Sequence, residues 1–126
     1  MSVNKPKKIL IAEDEKAYSR ALVLKLKNAG FDAESASNGE EALEAIKKGN
    51  FDLLLCDLVM PKMNGFQVLE ELSKQGLKIP VIGLSNLSQT DDEKKMRTAG
   101  AVDFISKSNT PIIEVIGKVE SFFNKK

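Results

Sequence analysis

Glu13 and Asp14 close the first apolar run of the chain, Ile9-Leu10-Ile11-Ala12, and Asp57 closes the third, Leu53-Leu54-Leu55-Cys56. If these runs are neighbouring parallel strands, three carboxylates meet at one edge of a sheet. Like charges repel in so small a space, so the arrangement calls for a hard, oxygen-seeking divalent cation such as Mg2+. Ser85 and Lys107 stand at the ends of two further apolar runs and bring a hydroxyl and a compact positive charge. Carboxylates, a hard cation, a hydroxyl and an ammonium are the parts that phosphoryl transfer requires.

To meet in this way, these residues need an alternating scaffold, and the sequence has the pattern of one. Strands are predicted over Lys8 to Glu13, Asp32 to Ala36, Phe51 to Cys56, Pro80 to Leu84 and Val102 to Ser106, each followed by a helix-period segment. The first and third runs are apolar on both faces, as expected of central parallel strands covered by helices above and below. The first helix spans about Glu15 to Ala29, with apolar Ala17, Ala21, Leu22, Leu24 and Leu26, and stops at Gly30. The second opens on Asn38-Gly39-Glu40-Glu41, a capping-box spacing, and ends before Gly49; the third runs from about Gly65 to Gln75 before Gly76. Thr90-Asp91-Asp92-Glu93 repeats the capping spacing at the head of a short, mostly charged fourth helix closed by Gly100, a weakly anchored element suited to movement or to a partner. Thr110-Pro111 opens the fifth, which buries Ile112, Ile113, Val115, Ile116 and Val119.

Composition narrows the function. The 126 residues, 42% of them hydrophobic, suit one globular domain. Nineteen basic and eighteen acidic residues leave a net charge of +1, without the basic excess of a nucleic-acid or membrane-surface binder; Lys5 to Lys8 and Lys125 to Lys126 are expected to be solvated tails. The single cysteine, Cys56, reads as a core residue of a reducing compartment. The sequence has no stretch of about 18 apolar residues and no signal-peptide core, so the expected setting is the cytoplasm. With no histidine in the chain, a Ser-His-Asp triad, a His-based zinc site and a phosphohistidine of its own are all excluded, and any phosphoryl group comes from outside.

On these residues the sequence resembles the receiver domain of two-component response regulators, over essentially the whole chain, 1–126. The resemblance is carried by Glu13-Asp14, by Asp57 followed by Met60-Pro61 and Gly65, and by Ser85 and Lys107 in that order. It implies an α/β fold, a five-stranded parallel sheet of flavodoxin-like, doubly wound order 2-1-3-4-5 with five helices, and a site outside the carboxyl ends of the strands. It implies that Asp57 is the nucleophile, taking a phosphoryl group from a partner's phosphohistidine as an aspartyl phosphate; catalysis is then limited to the protein's own phosphorylation and dephosphorylation. By the same resemblance Asp14, Asp57 and the Val59 carbonyl are direct Mg2+ ligands, Glu13 acts through a bound water, and Lys107 meets a phosphoryl oxygen. Ser85 is then the switch hydroxyl and Phe104 the switching aromatic. The implied partners are a sensor histidine kinase or histidine phosphotransfer protein, and an effector protein that reads the fourth helix, fifth strand and fifth helix, with no direct contact to nucleic acid or membrane.

Three positions depart from the family pattern. Asn86 follows Ser85 where a very small residue is common, and narrows access to an acyl phosphate. Ser108 follows Lys107 where proline, often after a cis bond, is usual; a cis bond before serine costs about 2.5–4 kcal/mol, so a trans bond or a shifted lysine is expected. Phe104 replaces the common tyrosine and lacks its hydroxyl. A phosphorylation-independent binding module, or the receiver part of a longer regulator with a DNA-binding or enzymatic output domain, are the alternative readings. The sequence beyond the fifth helix carries no effector segment, which favours a single-domain receiver. An aspartate-based phosphohydrolase would need a carboxylate two residues after Asp57, where Val59 stands, and no GxGxxG or GxxxxGK[ST] loop supports nucleotide binding.

Overall fold

Strands with large apolar side chains on both sides of the backbone are stable only between two covering layers. In the computed structural model, which describes residues 6–86 and 90–124, Ile9 and Ile11 of β1 (Lys8–Ala12) join Leu53 and Leu55 of β3 (Leu53–Asp57) in one core, while Leu10, Ala12, Leu54 and Cys56 join the other. β4 (Val81–Ser85) divides likewise, Ile82 and Leu84 against Val81. With β2 (Asp32–Ala36) and β5 (Asp103–Ser106) at the edges, the five strands form one parallel sheet of order β2-β1-β3-β4-β5, as expected. α1 (Lys16–Asn28) and α5 (Ile112–Asn124) cover the first face through Leu22, Leu26, Val115, Ile116 and Val119. α2 (Gly39–Lys48), α3 (Gly65–Lys74) and α4 (Thr90–Thr98) cover the second.

The carboxyl ends of three strands differ from the expected ones by a residue, and the difference matters for the site. β1 closes at Ala12, with the Glu13 amide still donating to the Ala36 carbonyl at 3.0 Å. β3 starts at Leu53 and includes Asp57, and β4 runs from Val81 to include Ser85, so both residues end a ladder instead of following one. Hydrogen-bonded strands hold their last residues more firmly than loops do. Asp57 pairs with Leu84 and Ser85 with Ser106, which brings the strand ends to one level.

The helices show which periodic residues truly face inward. In α1, Leu24 is exposed and so is Ala17; the inward stripe is Tyr18, Leu22 and Leu26. In α5, Ile113 is exposed, and the Pro111 carbonyl accepts from the amides of Glu114 and Val115, so Pro111 and not Thr110 takes the N-cap place before Ile112. The Asn38 side chain caps α2 through the Glu41 amide, but the Glu41 carboxylate accepts from Ser37 instead of completing the box on Asn38. The complete capping box lies at α3, between Asn64 and Gln67, with both bonds at 2.9 Å. Gly30 and Gly100 have φ of +97° and +115° and end α1 and α4 in the left-handed region, whereas Gly49, with φ −113°, ends α2 in an extended one. Met96 is the buried residue of α4 among the described residues, consistent with a lightly anchored helix. Lys8 is no tail residue: it opens β1, pairs with Glu34 at 3.4 Å and lies over the Phe51 ring. Lys5, Lys125, Lys126 and the capping side chain of Thr90 lie outside the described residues. Among the described residues, no helix is long and apolar enough to cross a membrane.

Candidate functional site

The carboxyl ends of β1, β3, β4 and β5 converge on a small polar site over an apolar floor. Glu13 follows β1 directly and is buried; Asp14, next to it, is exposed; Asp57 ends β3 and is buried. One carboxylate oxygen from each lies within 4.8 Å of the others, an all-oxygen donor set that fits a hard divalent cation. Lys107, just beyond β5, donates its amide to the Ser85 carbonyl at 2.7 Å, which fixes the root of its side chain to the end of β4. Its ammonium then reaches across the site to Glu13 Oε1 at 2.7 Å, Glu15 Oε1 at 2.9 Å and Asp57 Oδ2 at 3.4 Å. The Lys107–Ser108 bond is trans, as expected, since no described peptide bond is cis.

Burial sets the electrostatics. Desolvation pushes the Glu13 carboxyl up to about 7; Asp57 adds to the rise, and the hydrogen bonds from Lys107 and the Glu15 amide oppose it. Desolvation also raises Asp57, against the pull of Lys107 and a backbone hydrogen bond from Val59. For Lys107, burial works against the charge, but hydrogen bonds to Glu13 and Glu15 and the field of Asp57 outweigh it and hold the ammonium charged. Glu13, Glu15 and Asp57 thus share one cation, with Asp14 beside two of them, so acidic groups outnumber the cation before any ligand arrives.

The remaining expected residues are placed as follows. Ser85 is buried as the last residue of β4. The Val59 side chain is exposed, two residues beyond the Asp57 that its amide supports. Phe104 is half-buried on β5 and packs against the core layer of Met96, over Gly83, where an added Cβ would stand 3.2 Å from its Cδ1. Cys56 is fully buried with its thiol pushed up by desolvation, a core residue as expected. Gly65 does not make the turn of the loop after Asp57. The left-handed residue of the loop is Lys62, at φ 68°, while Gly65 permits a close approach: a Cβ there would meet the Asp57 carbonyl oxygen at 2.5 Å.

Two neighbours of Lys107 escaped the sequence reading. Glu15 holds the ammonium although it follows the acidic pair; the acidic run Glu13-Asp14-Glu15 was the available signal. The Tyr18 ring lies 4.7 Å from Lys107 Nζ, and its buried hydroxyl has no hydrogen-bond partner among the described residues. Its signal was the four-residue spacing with Leu22 and Leu26, which places Tyr18 at the site end of the inward stripe of α1.

A doubly wound parallel sheet with an acidic cluster and a bridging lysine at its carboxyl edge defines a class of signalling domain. The sequence matches the family model of the response regulator receiver domain over residues 9–116, and the chain belongs to that family. It is 37% identical over 100 residues to the transcriptional regulatory protein DltR of Streptococcus agalactiae serotype III (strain NEM316), covering 79% of this chain and 45% of DltR. With the alkaline phosphatase synthesis transcriptional regulatory protein PhoP of Bacillus subtilis (strain 168) it shares 32% over 119 residues, 94% of this chain and 49% of PhoP. The chain therefore spans about half the length of the curated relatives it matches. Among solved structures, the receiver domain of Francisella response regulator 1452 superposes with a TM-score of 0.85 at 33% identity, covering 90% of this chain and 93% of that one. The response regulator TrrA of Thermotoga maritima, solved in complex with Mg2+-BeF, gives 0.79 at 31% identity, covering 91% and 97%.

Proposed function

We propose that this receiver accepts a phosphoryl group on Asp57 from a phosphohistidine of a kinase or phosphotransfer partner, and that the modified site changes the surface offered to an effector. The observation that carries the reading is the Lys107 ammonium bridging Glu13 and Asp57 in a buried carboxylate cluster. A structural lysine on a strand-end loop would find cheaper partners in water. An Asp57 carboxylate oxygen attacks the phosphorus in line; the new O–P bond forms as the P–N bond to the partner's imidazole breaks, and its electron pair returns to that nitrogen. Lys107 holds a phosphoryl oxygen and Ser85 donates its hydroxyl to another. Mg2+, held by Asp14, Asp57 and the Val59 carbonyl with Glu13 acting through a water, would supply the charge neutralisation that lets one anion approach another. The oxygen donors of Glu13, Asp14 and Asp57 suit that ion.

The surface proposed to change is α4, β5 and α5, with Ser85 and Phe104 as the coupling residues. α4 supports this role through Met96, its single buried anchor among the described residues, and the exposed ion pairs of Arg97 with Glu93 and Asp103. Because the matched relatives are about twice as long, a receiver joined to an output domain in a longer regulator stands as the second reading. The test is intact mass after incubation with a small acyl-phosphate donor, with and without Mg2+, for the native chain and Asp57→Asn. One added phosphoryl group that needs both Mg2+ and Asp57 supports the proposal. No adduct, together with no binding of beryllofluoride in Mg2+, would leave the phosphorylation-independent module.

A further inference from the structure

We propose that Glu15 is a latch on Lys107: it occupies the place on the ammonium that a phosphoryl oxygen must take, and is displaced when the site is loaded. This rests on the reading of Asp57 as phosphoryl acceptor. A lysine ammonium has three N–H donors. Glu13, Glu15 and Asp57 use them at 2.7, 2.9 and 3.4 Å, and the Tyr18 ring lies against the same group. No donor remains for a ligand, so one carboxylate must yield.

Exposure decides which. The Glu13 side chain is 0% exposed and that of Asp57 8%, whereas that of Glu15 is 59% exposed. Taking the cation from buried Glu13 would strand a desolvated charge, and Asp57 stays beside the ammonium through the phosphoryl group it carries, while an exposed carboxylate returns to water at little cost. Glu15 is therefore the group that leaves. Its backbone position agrees: it stands at the N-cap of α1, yet its side chain makes no capping bond and is committed to Lys107.

Release of Glu15 reaches further than one ion pair. Lys107 foremost, and Asn86 after it, favour the charged form of the Glu15 carboxylate, and the Asn86 carbonyl accepts from Ser108 Oγ at 3.3 Å. Through Lys107, Glu15 thus ties the start of α1 to the ends of β4 and β5, beside Asn86 and Ser108, two of the three positions where the sequence departs from the family pattern. In the unloaded protein these segments are held together across the mouth of the site. A phosphoryl group on Asp57 opens the tie.

The experiment is calorimetric titration of beryllofluoride in saturating Mg2+ against the native chain, Glu15→Gln and Glu15→Asp. Removing the competitor tightens binding by about two- to fivefold, the range of an exposed ion pair. Glu15→Asp keeps the charge but withdraws the carboxylate by one methylene from Lys107, so it shows the same tightening. Glu15→Gln binding no tighter than native overturns the latch. Tightening in Glu15→Gln with native affinity in Glu15→Asp also overturns it, since general repulsion would then account for the effect. Native binding that neither variant changes leaves the phosphoryl-acceptor reading standing while the latch falls. Absence of binding by all three removes both.

Discussion

Two glycines make one substitution act in opposite directions. The Gly65 amide donates to the Leu58 carbonyl at 2.9 Å, which brings the start of α3 against the backbone that carries Asp57. A Cβ at position 65 would lie 2.5 Å from the Asp57 carbonyl oxygen and 3.1 Å from Leu58 Cα. Both are backbone atoms, so no rotamer relieves the overlap, and restoring a contact of about 3.5 Å moves α3 or Asp57 by roughly 1 Å. Overpacking of this kind costs about 1–3 kcal/mol. A chain of this length unfolds with an entropy of about 0.26 kcal/mol/K, so each kcal/mol is worth about 4 °C and Gly65→Ala lowers Tm by about 4–12 °C. The functional loss is larger, because a 1 Å misplacement of a reacting group costs about a hundredfold in rate. Gly117, in the middle of α5, has no heavy atom within 4 Å of an added Cβ and no positive φ, so Gly117→Ala gains helix propensity and raises Tm by about 2–4 °C. Thermal melts of the two variants, with phosphorylation rates from a small acyl-phosphate donor, test the reasoning. A Gly65→Ala protein that melts with the native chain and is phosphorylated at the native rate refutes it.

Three further outcomes are expected. Glu13 holds its proton in the folded protein up to about 7, against 4.5 ordinarily, so the native state binds more protons across that interval. The stability this contributes is complete below about pH 4.5 and is lost as pH rises through 7, a decline of about 3 kcal/mol in metal-free protein, read from urea midpoints at pH 5 to 8 in chelator. Lys107→Met leaves Glu13 and Asp57 without a cation and costs about 3 kcal/mol at pH 8 but less at pH 5, where Glu13 is protonated; equal losses at both would contradict the charge argument. Lys95, exposed on α4, tests the output surface: Lys95→Glu weakens effector binding with Asp57 phosphorylation unchanged, and a parallel loss of both in the two assays would count against that face.

The scaffold was legible in the chain because its central strands, Ile9 to Ala12 and Leu53 to Cys56, are apolar on both faces and have no stable place except between helical layers. Once those strands run parallel and in register, their carboxyl ends share an edge, so the proximity of Glu13, Asp14, Asp57 and Lys107 follows from order along the chain. Periodicity alone misplaced the exposed Leu24 and Ile113, because apolar residues at helical spacing do not say which of them the docking angle turns inward. The ladder ends at Asp57 and Ser85 also depended on pairing with a neighbour, which no single strand encodes. Glu15 and Tyr18 lie far from Lys107 in sequence and reach it only because α1 packs beside β1 at one particular rotation. Local sequence set which residues stand at the edge, through periodicity and burial. Tertiary packing decided which side chains the buried Lys107 would hold, because that depends on distances that only the assembled layers define.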